Sequence, residues 1–303
     1  MKRLLAFALL LCCATLVQAA ETNKVREVKV GIYVLSLGKL DIGSGTFSAD
    51  FYLSLKSDDP IPENAFEFVN GRAASVEKTE DNDGGREKFY RIMANLTAAV
   101  DLKRFPFDAQ KLQIILEDKT ESAEKMRFVP NGKESGLDSA ITFPGWVING
   151  WEIGTAQHEY PVYEETFSQL VYTVKIGRIQ FNSFLKTFLP VLFLMLIVMS
   201  SFILNPTQIT TRLAAISSAL VASAMFHISI AGQIPPVGYL TFADKFMVLT
   251  YFILLACFFM SLYVFILQER KDEQRAHRIH KLTESLTFFG MPILYIALFL
   301  FVK

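Results

Sequence analysis

Cysteine is scarce in this 303-residue sequence, and its positions exclude a disulfide-stabilised domain. Cys12 and Cys13 lie in an apolar stretch at the start, and Cys257 lies in an apolar run near the end. The long polar region at 21–183 has no cysteine. Neither a disulfide nor a cysteine-based zinc site is therefore available to that region.

Short motifs of common enzyme classes are also missing. The sequence contains no HExxH, no GxSxG and no glycine-rich phosphate loop, and residues 21–183 contain no Cys–His pair. Carboxylates are abundant, but their spacing marks no acid–base pair. We therefore expect a protein that is not an enzyme and that has neither a cofactor nor a metal site.

The formal net charge is zero, but the two halves of the chain differ. Residues 21–183 hold 25 acidic and 19 basic side chains, whereas residues 184–303 hold 5 acidic and 9 basic ones. Beyond the N-terminal stretch, long apolar runs occur only in the second half. The pattern predicts an acidic polar domain followed by a membrane domain, with the lipid bilayer as a partner and no nucleic acid.

The first 20 residues, MKRLLAFALLLCCATLVQAA, have the order of a secretory signal peptide: two bases, an apolar run and small residues. Cleavage is expected near Ala19 or Ala20, and an uncleaved anchor is the alternative. We therefore expect the domain at 21–183 to be exported.

That domain alternates between strand-like runs and turn signals. VKVGIYVLSL, QKLQIILED and SQLVYTVKIG are rich in β-branched and aromatic residues, and DIGSG, KSDDPIP and EDNDGGRE are strand breakers. Short strands with frequent turns predict a β-sandwich. The fold class is therefore a β-sandwich domain, at 21–183, followed by a helical membrane domain, at 184–303.

The second half predicts four membrane-spanning helices, at about 184–204, 208–232, 241–267 and 285–302. Crossing a bilayer as a helix takes ~20 predominantly apolar residues, which each segment supplies. The second differs from the others because it is rich in Ser, Ala and Thr. The last loop, QERKDEQRAHRIHK, carries five Lys or Arg residues and should be cytoplasmic, so both termini should lie outside.

One face of the second span carries a stripe at steps of three and four residues. The stripe is small or polar at its start and apolar from its middle onward. Its members are Thr211, Ala214, Ser218, Val221, Met225, Ile228 and Gly232. Such a face fits a pore wall, and tight helix packing, which also favours small residues, is the alternative.

Histidines are few, and we interpret most of them as structural. His227 is the one histidine inside a span; we interpret it as a packing residue, with a proton-sensitive role in gating as the alternative. His158, His277 and His280 are interpreted as surface or loop residues.

The stretch RFPFDAQKL is a rigid apolar turn between two strand-like runs, because proline fixes its own φ and lacks an N–H. With the sandwich, Arg178 before the first span, the Ser/Thr-bearing second span and Pro235 at its outer end, this turn resembles the pentameric ligand-gated ion channels, the Cys-loop receptor superfamily. A signal peptide with one four-span domain is similar to the bacterial branch, which usually lacks the two cysteines of the turn; Ala98 and Leu112 stand in their places. The resemblance implies a homo-pentamer in a bacterial inner membrane.

The resemblance also implies how the turn is used. It would rest on the outer ends of the membrane helices, and an arginine between two carboxylates would break and remake its contacts as the domains move. The residues of this gating interface would be Asp41, Phe105, Pro106, Phe107, Asp108, Arg178 and Pro235. The alternative from the residues alone is that Asp41, Asp108 and Arg178 are separate surface charges.

Five copies of the second span would line the pore, with Val221, Met225 and Ile228 as apolar rings that close it by dewetting. The inner mouth has neither the acid usual in cation channels nor the Pro-Ala-Arg of anion channels. The acidic domain and the bacterial relatives favour monovalent cations.

An agonist site between subunits is the last implication of the resemblance. It would be formed by Tyr52 from one subunit and, from the next, by Glu117, Asp118, Tyr160, Tyr163 and Phe167. Aromatic rings with carboxylates fit a small amine, and ordinary sandwich packing is the alternative. The sequence thus predicts a ligand-gated channel; a non-conducting four-span sensor with a periplasmic ligand-binding domain is the alternative.

Overall fold

The structure, a computed structural model, describes residues 25–205 and 207–301. Ten strands come first in this part of the chain, and four long helices follow. The predicted signal peptide at 1–20 lies outside the described residues. The order of elements is that of a β domain followed by a helical domain whose four helices are each long and apolar enough to span a membrane.

The β domain consists of two sheets. Their strands are β1 (Arg26–Leu37), β2 (Thr46–Ser57), β3 (Phe66–Phe68), β4 (Gly71–Asn82), β5 (Glu87–Thr97), β6 (Ala109–Asp118), β7 (Met126–Pro130), β8 (Gly136–Leu137), β9 (Trp146–Tyr160) and β10 (Glu165–Arg178). One sheet has the order β4-β5-β2-β1-β7, with β8 also paired to β1. The other has the order β3-β6-β10-β9.

The strands pack because their apolar residues alternate. In β1, Val28, Val30 and Ile32 are at most 2% exposed while the residues between them are more accessible, apart from the buried Gly31. In β6 of the other sheet, Leu112 and Ile114 are 1% exposed. Side chains of both sheets belong to one buried cluster, so the two sheets form a sandwich. Burying each such side chain contributes roughly 1.5–3 kcal/mol.

The four helices are α1 (Gln180–Ser201), α2 (Ile209–Ala231), α3 (Phe242–Glu269) and α4 (Glu273–Phe301). The start of α3 is fixed by a capping box, in which Thr241 Oγ1 accepts from the N–H of Asp244 and Asp244 Oδ2 accepts from the N–H of Thr241. Gly232 follows α2, and the linker 232–241 leads to α3.

The fourth helix begins at Glu273, well before the predicted 285. The first turns of this helix are polar, so the apolar run from which the span was predicted does not include them. Asp272 caps this end by accepting from the N–H of Arg275, and Ala276, His280 and Thr283 are buried. A π-helical turn, Leu286–Gly290, interrupts the helix before its apolar last part.

Candidate functional sites

The predicted stripe on α2 lies on the exposed face of that helix. All seven of its residues are exposed in the single chain. The largest apolar ones are Val221 at 62%, Met225 at 68% and Ile228 at 74% exposed. The opposite face packs inside the bundle, where Ile216, Ala219, Ser223 and Ile230 are buried. The stripe is therefore a surface of the subunit and not a packing face within it.

Arg212, at the start of α2, is fully buried and points away from the stripe. Its Nε donates to the Ser201 carbonyl at 3.2 Å and its second amino group donates to the Leu204 carbonyl at 3.1 Å. The guanidinium also lies 3.3 Å from His280 Nδ1 and 4.8 Å above the Phe202 ring. These contacts tie the ends of α1, α2 and α4 together without an ion pair among the described residues.

His227 lies beside the stripe and joins α2 to α3. Its Nδ1 is 3.0 Å from the Tyr251 hydroxyl, and its Nε2 is 3.1 Å from Asp244 Oδ1. Both partners belong to α3, so the side chain turns toward the helix bundle. This arrangement fits the interpretation of His227 as a packing residue.

The apolar turn of the sandwich meets the membrane helices through Phe107. Its ring lies 5.8 Å from Phe188 of α1, 5.7 Å from Phe242 of α3 and 6.2 Å from Phe299 of α4. Phe105 is 2% exposed and belongs to the same buried cluster as the helices. The turn is apolar because it is buried against the bundle.

Backbone hydrogen bonds fix this contact. The N–H groups of Phe242 and Ala243 donate to the carbonyls of Lys103 and Phe105, at 2.9 and 3.0 Å. The N–H of Leu102 donates to the Tyr239 hydroxyl at 3.0 Å. The turn therefore satisfies the free N–H groups at the start of α3, which a helix cannot satisfy by itself.

Asp108 and Arg178 form a largely buried ion pair at the junction. Arg178 Nε donates to Asp108 Oδ1 at 2.6 Å, and the two side chains are 20% and 1% exposed. Gln110 Nε2 donates to the other carboxylate oxygen at 2.8 Å. The guanidinium also lies 5.0 Å from the Phe105 ring and 4.6 Å from the Trp146 ring. The strand leading into α1 is thus bound to the turn.

Asp41 and Pro235, which were also predicted to belong to the gating interface, are not part of this ion pair. Asp41 is exposed, and its Oδ1 accepts from the N–H of Gly43 at 2.8 Å. That bond, with one from Ser44, lowers the pKa of the Asp41 carboxyl. Among the described residues no ion pair joins Asp41 to Arg178, so the arginine has one carboxylate partner and not two. Pro235 is half-buried in the linker 232–241.

Glu117 of the sandwich is buried, at 2% exposed, and is surrounded by hydrogen-bond partners. The Tyr160 hydroxyl donates to Oε1 at 2.9 Å, and Gln169 Nε2 donates to Oε2 at 2.7 Å. His158 Nδ1 lies 3.2 Å from Oε2. Burial and the bond to Glu117 raise the pKa of Tyr160 to about 12, so its hydroxyl remains protonated at neutral pH.

These partners belong to one hairpin, β9 and β10 with the turn 161–164, which we call the capping hairpin. The tip of the hairpin is exposed to solvent, since the side chains of Val162 and Tyr163 are 88% and 73% exposed. Phe167 packs edge-on against Tyr160 with ring centroids 5.6 Å apart. Three of the predicted ligand residues, Glu117, Tyr160 and Phe167, therefore lie together.

The remaining three ligand candidates lie elsewhere. Asp118 is buried and accepts from the N–H groups of Thr120 and Glu121, at 2.9 and 2.8 Å, so it shapes a turn. Tyr163 is at the hairpin tip. Tyr52 is 41% exposed on β2 of the other sheet, beside Tyr33 of β1 in the strand register.

A pocket of about 570 Å³ adjoins the capping hairpin near its turn. Tyr160 lines it together with Phe66, Glu67, Arg72 and Lys119. Aromatic and charged groups of both signs thus surround a space large enough for a small molecule.

Comparison with known proteins agrees with this architecture. No family model matches the chain. Over 248 residues, 74% of this chain and 68% of the relative, it is 25% identical to the proton-gated ion channel of Gloeobacter violaceus. Over 161 residues it is 21% identical to ligand-gated ion channel 50 of Caenorhabditis elegans, covering 52% of this chain and 32% of that protein.

Over most of its length, this chain is therefore similar to a protein named as an ion channel, which agrees with its resemblance to the pentameric ligand-gated ion channels. Its four helices, each long and apolar enough to span a membrane, support a multi-pass membrane protein, and both relatives are named as ion channels. Both relatives are named as ion channels, which are not enzymes.

Sequence interpretation does not identify two residues of the sandwich that meet at Glu117. His158 was interpreted as a surface residue, whereas it contacts buried Glu117. No sequence motif distinguishes Gln169, which donates to the same carboxylate. Strand alternation offered a signal, because residues 158 and 160 lie on one face of β9. The pairing of β9, β10 and β6, which brings them to Glu117, is not visible in the sequence.

Proposed function

We propose that five copies of this chain form a channel whose pore is lined by the α2 stripe. The observation that carries the proposal is the exposed face of α2. Val221, Met225 and Ile228 are more than half exposed on a helix whose other face is packed. Assembly around an axis would place these residues as three apolar rings, and a narrow apolar neck closes by dewetting.

The charges at the inner end of α2 favour a cation channel. Arg212 is fully buried and bonded to carbonyl oxygens, so its guanidinium does not face the stripe. No stripe residue is charged, and the domain at 21–183 has an acidic surplus that would concentrate cations near the outer mouth. Monovalent cations are therefore the proposed permeant ions.

Ligand binding would act on the pore through the turn at 104–108. The turn is bonded to the start of α3 through backbone groups and to α1 through Arg178 and Phe107. A ligand that binds the open form more tightly than the closed form would shift the population toward opening. Movement of the sandwich would reach α2 through the linker 232–241.

The proposed ligand site is the pocket near the turn of the capping hairpin, completed by Tyr52 of a neighbouring subunit. Tyr160, Tyr163 and Tyr52 supply aromatic faces that could hold a small amine. Glu117 is buried and accepts bonds from Tyr160 and Gln169, so we propose that it positions Tyr160 and does not touch the ligand itself. The proposed location is a bacterial inner membrane, with both termini outside.

Cysteine accessibility tests the pore face. Cys257 is the only cysteine outside residues 1–24, so Cys257→Ser gives a suitable background. In that background Val221→Cys should react with a water-soluble methanethiosulfonate and change the current, because its side chain faces the proposed pore.

Ile216→Cys is the matched control, since Ile216 lies on the same helix and is 1% exposed. It should stay unmodified. Equal labelling of both positions, or labelling of Val221→Cys with no change in conductance of well-expressed protein, would contradict the proposal. The second result would favour the non-conducting sensor.

A further inference from the structure

A second pocket, of about 250 Å³, lies where the sandwich meets the start of α1, and we call it the junction pocket. Its walls come mainly from the turn at 104–108, the first turns of α1 and the linker 232–241. We propose that the junction pocket binds a phosphate group, either of a phospholipid headgroup or of a free phosphate ion. Binding there requires no property of the proposed pore.

The side chains that line the junction pocket carry positive charge and no negative charge. Arg178 and Lys186 are its two charged residues. Asp108, the partner of Arg178, does not line the pocket, and its side chain is 1% exposed. The neutral polar side chains of the lining are Asn182, Ser183, Thr187 and Gln233. An anion would therefore meet cations together with amide and hydroxyl groups that donate hydrogen bonds.

Lys186 is a charged residue inside an apolar span. It lies about 9 Å along α1 from the first residue of that helix, Gln180, at a rise of ~1.5 Å per residue. Its side chain is exposed, and no ion pair or hydrogen bond joins it to another residue within 25–205 and 207–301. A charge in a membrane span is costly unless it is paired or reaches polar surroundings. An anionic partner from outside the chain would remove this cost.

Thr187 supplies an independent observation. This residue is 4% exposed and lines the junction pocket, yet its hydroxyl makes no hydrogen bond with any part of the chain that the structure describes. A buried hydroxyl without a partner is unfavourable, and a phosphate oxygen would accept its hydrogen bond. Arg178 likewise uses only its Nε for Asp108, so its two amino groups remain available as donors.

The surroundings of the junction pocket favour a lipid as the source of the phosphate. Phe193 and Ile197 follow Lys186 on the same side of α1 and are 56% and 57% exposed. An apolar face that ends in a cation fits an acyl chain with its headgroup at that end. The start of α1 adds to the attraction, because its first N–H groups receive no side-chain cap from Ile179.

The test measures thermal unfolding of the purified full-length protein in detergent while inorganic phosphate or dioctanoyl phosphatidylglycerol is added. A probe that binds the folded protein should raise the unfolding temperature until the site is saturated. Lys186→Gln should increase the concentration that gives half of this rise about tenfold, because it removes a charge-assisted hydrogen bond. Lys186→Arg keeps the charge and should retain binding.

Thr187→Val is a second variant, which leaves the charge of the pocket unchanged. It should bind the probe several-fold more weakly, yet without probe it should unfold at the same or a higher temperature, because valine has a similar shape and no unpaired hydroxyl. Lys245→Gln is the matched control. Lys245 lies at the sandwich end of α3 and does not line the junction pocket, so this variant should respond to both probes as wild type does.

The two probes also distinguish the two sources of phosphate. A rise that depends on Lys186 and appears only with phosphatidylglycerol assigns the pocket to a lipid headgroup, whereas the same rise with inorganic phosphate assigns it to the free ion. No rise with either probe, or an equal rise in wild type and Lys186→Gln, would overturn the proposal.

Failure of this proposal can be told apart from failure of the proposed function. If the rise depends on Lys186 but Val221→Ser gives no standing current, the phosphate site stands and the pore assignment fails. If Val221→Ser gives a standing current but neither probe raises the unfolding temperature, the pore assignment stands and the phosphate site fails.

Discussion

Asp108→Ala is expected to lower the stability of the protein by about 3–5 kcal/mol and to abolish gating, because it leaves a largely buried guanidinium without its carboxylate. The Arg178–Asp108 contact is 2.6 Å long, and the aspartate side chain is 1% exposed. Removing it also takes away one of the two acceptors of the Gln110 amide, which still donates to the Asp101 carbonyl. Thermal unfolding in detergent and surface expression would measure the loss.

Lys175, on the same strand as Arg178, provides a matched control for this experiment. Lys175 and Glu152 are also 2.6 Å apart, but their side chains are 44% and 53% exposed. Lys175→Ala should change stability by less than about 1 kcal/mol, because exposed pairs contribute little. If Asp108→Ala lowered the stability no more than Lys175→Ala does, the Asp108–Arg178 pair would contribute no more than a surface contact.

Phe107→Ala is expected to separate ligand binding from pore opening while the protein still reaches the membrane. The ring contacts α1, α3 and α4 at once, and alanine would remove all three contacts. Since Phe107 is half-buried, the loss of stability should be roughly 2 kcal/mol, below that of a fully buried phenylalanine. The response to an opening stimulus should fall much more than the amount of surface protein.

Phe193→Ala provides the comparison for this variant. Phe193 is also on α1 but is 56% exposed and makes no ring contact among the described residues. It should leave gating nearly unchanged. Equal loss of current in the two variants would mean that the turn at 104–108 does not transmit the movement.

Local sequence patterns were sufficient to predict four helices, though not the start of α4 at Glu273, and the exposed face of α2. Steps of three and four residues place Val221, Met225 and Ile228 on one side of a helix whatever surrounds it, and the structure exposes that side. The same pattern could not tell a pore wall from a packing face, because that distinction depends on which side the other helices cover. The buried contacts of Arg212 with α1 and α4 were invisible for the same reason.

Where the sandwich meets the helices, the sequence also predicted some contacts and missed others. An apolar turn in a polar domain predicted a buried contact, and the resemblance predicted the partner of Asp108. The position of Asp41 depends on its own turn: its carboxylate bonds to the N–H of Gly43 two residues later and is not free for Arg178. A local side-chain bond of this kind prevailed over the long-range contact that was expected.

At the ligand site, the residue types were predicted better than their roles. Glu117, Tyr160 and Phe167 do lie together, but the carboxylate accepts bonds from the capping hairpin and is shielded from the pocket. His158 became visible only through the pairing of β9 with β10, which sets it beside β6. Burial of a charge depends on tertiary packing, which sequence spacing does not specify.

The most direct test of the pore assignment is the resting current of Val221→Ser in oocytes while external NaCl is diluted. A hydroxyl at the proposed neck should hold water and give a standing current, and the shift in reversal potential should show that cations carry it. Ala222→Ser adds the same hydroxyl one residue along α2, off the exposed stripe, and should give no current. Surface-expressed Val221→Ser without a standing current, or the same current from both variants, would contradict the pore assignment.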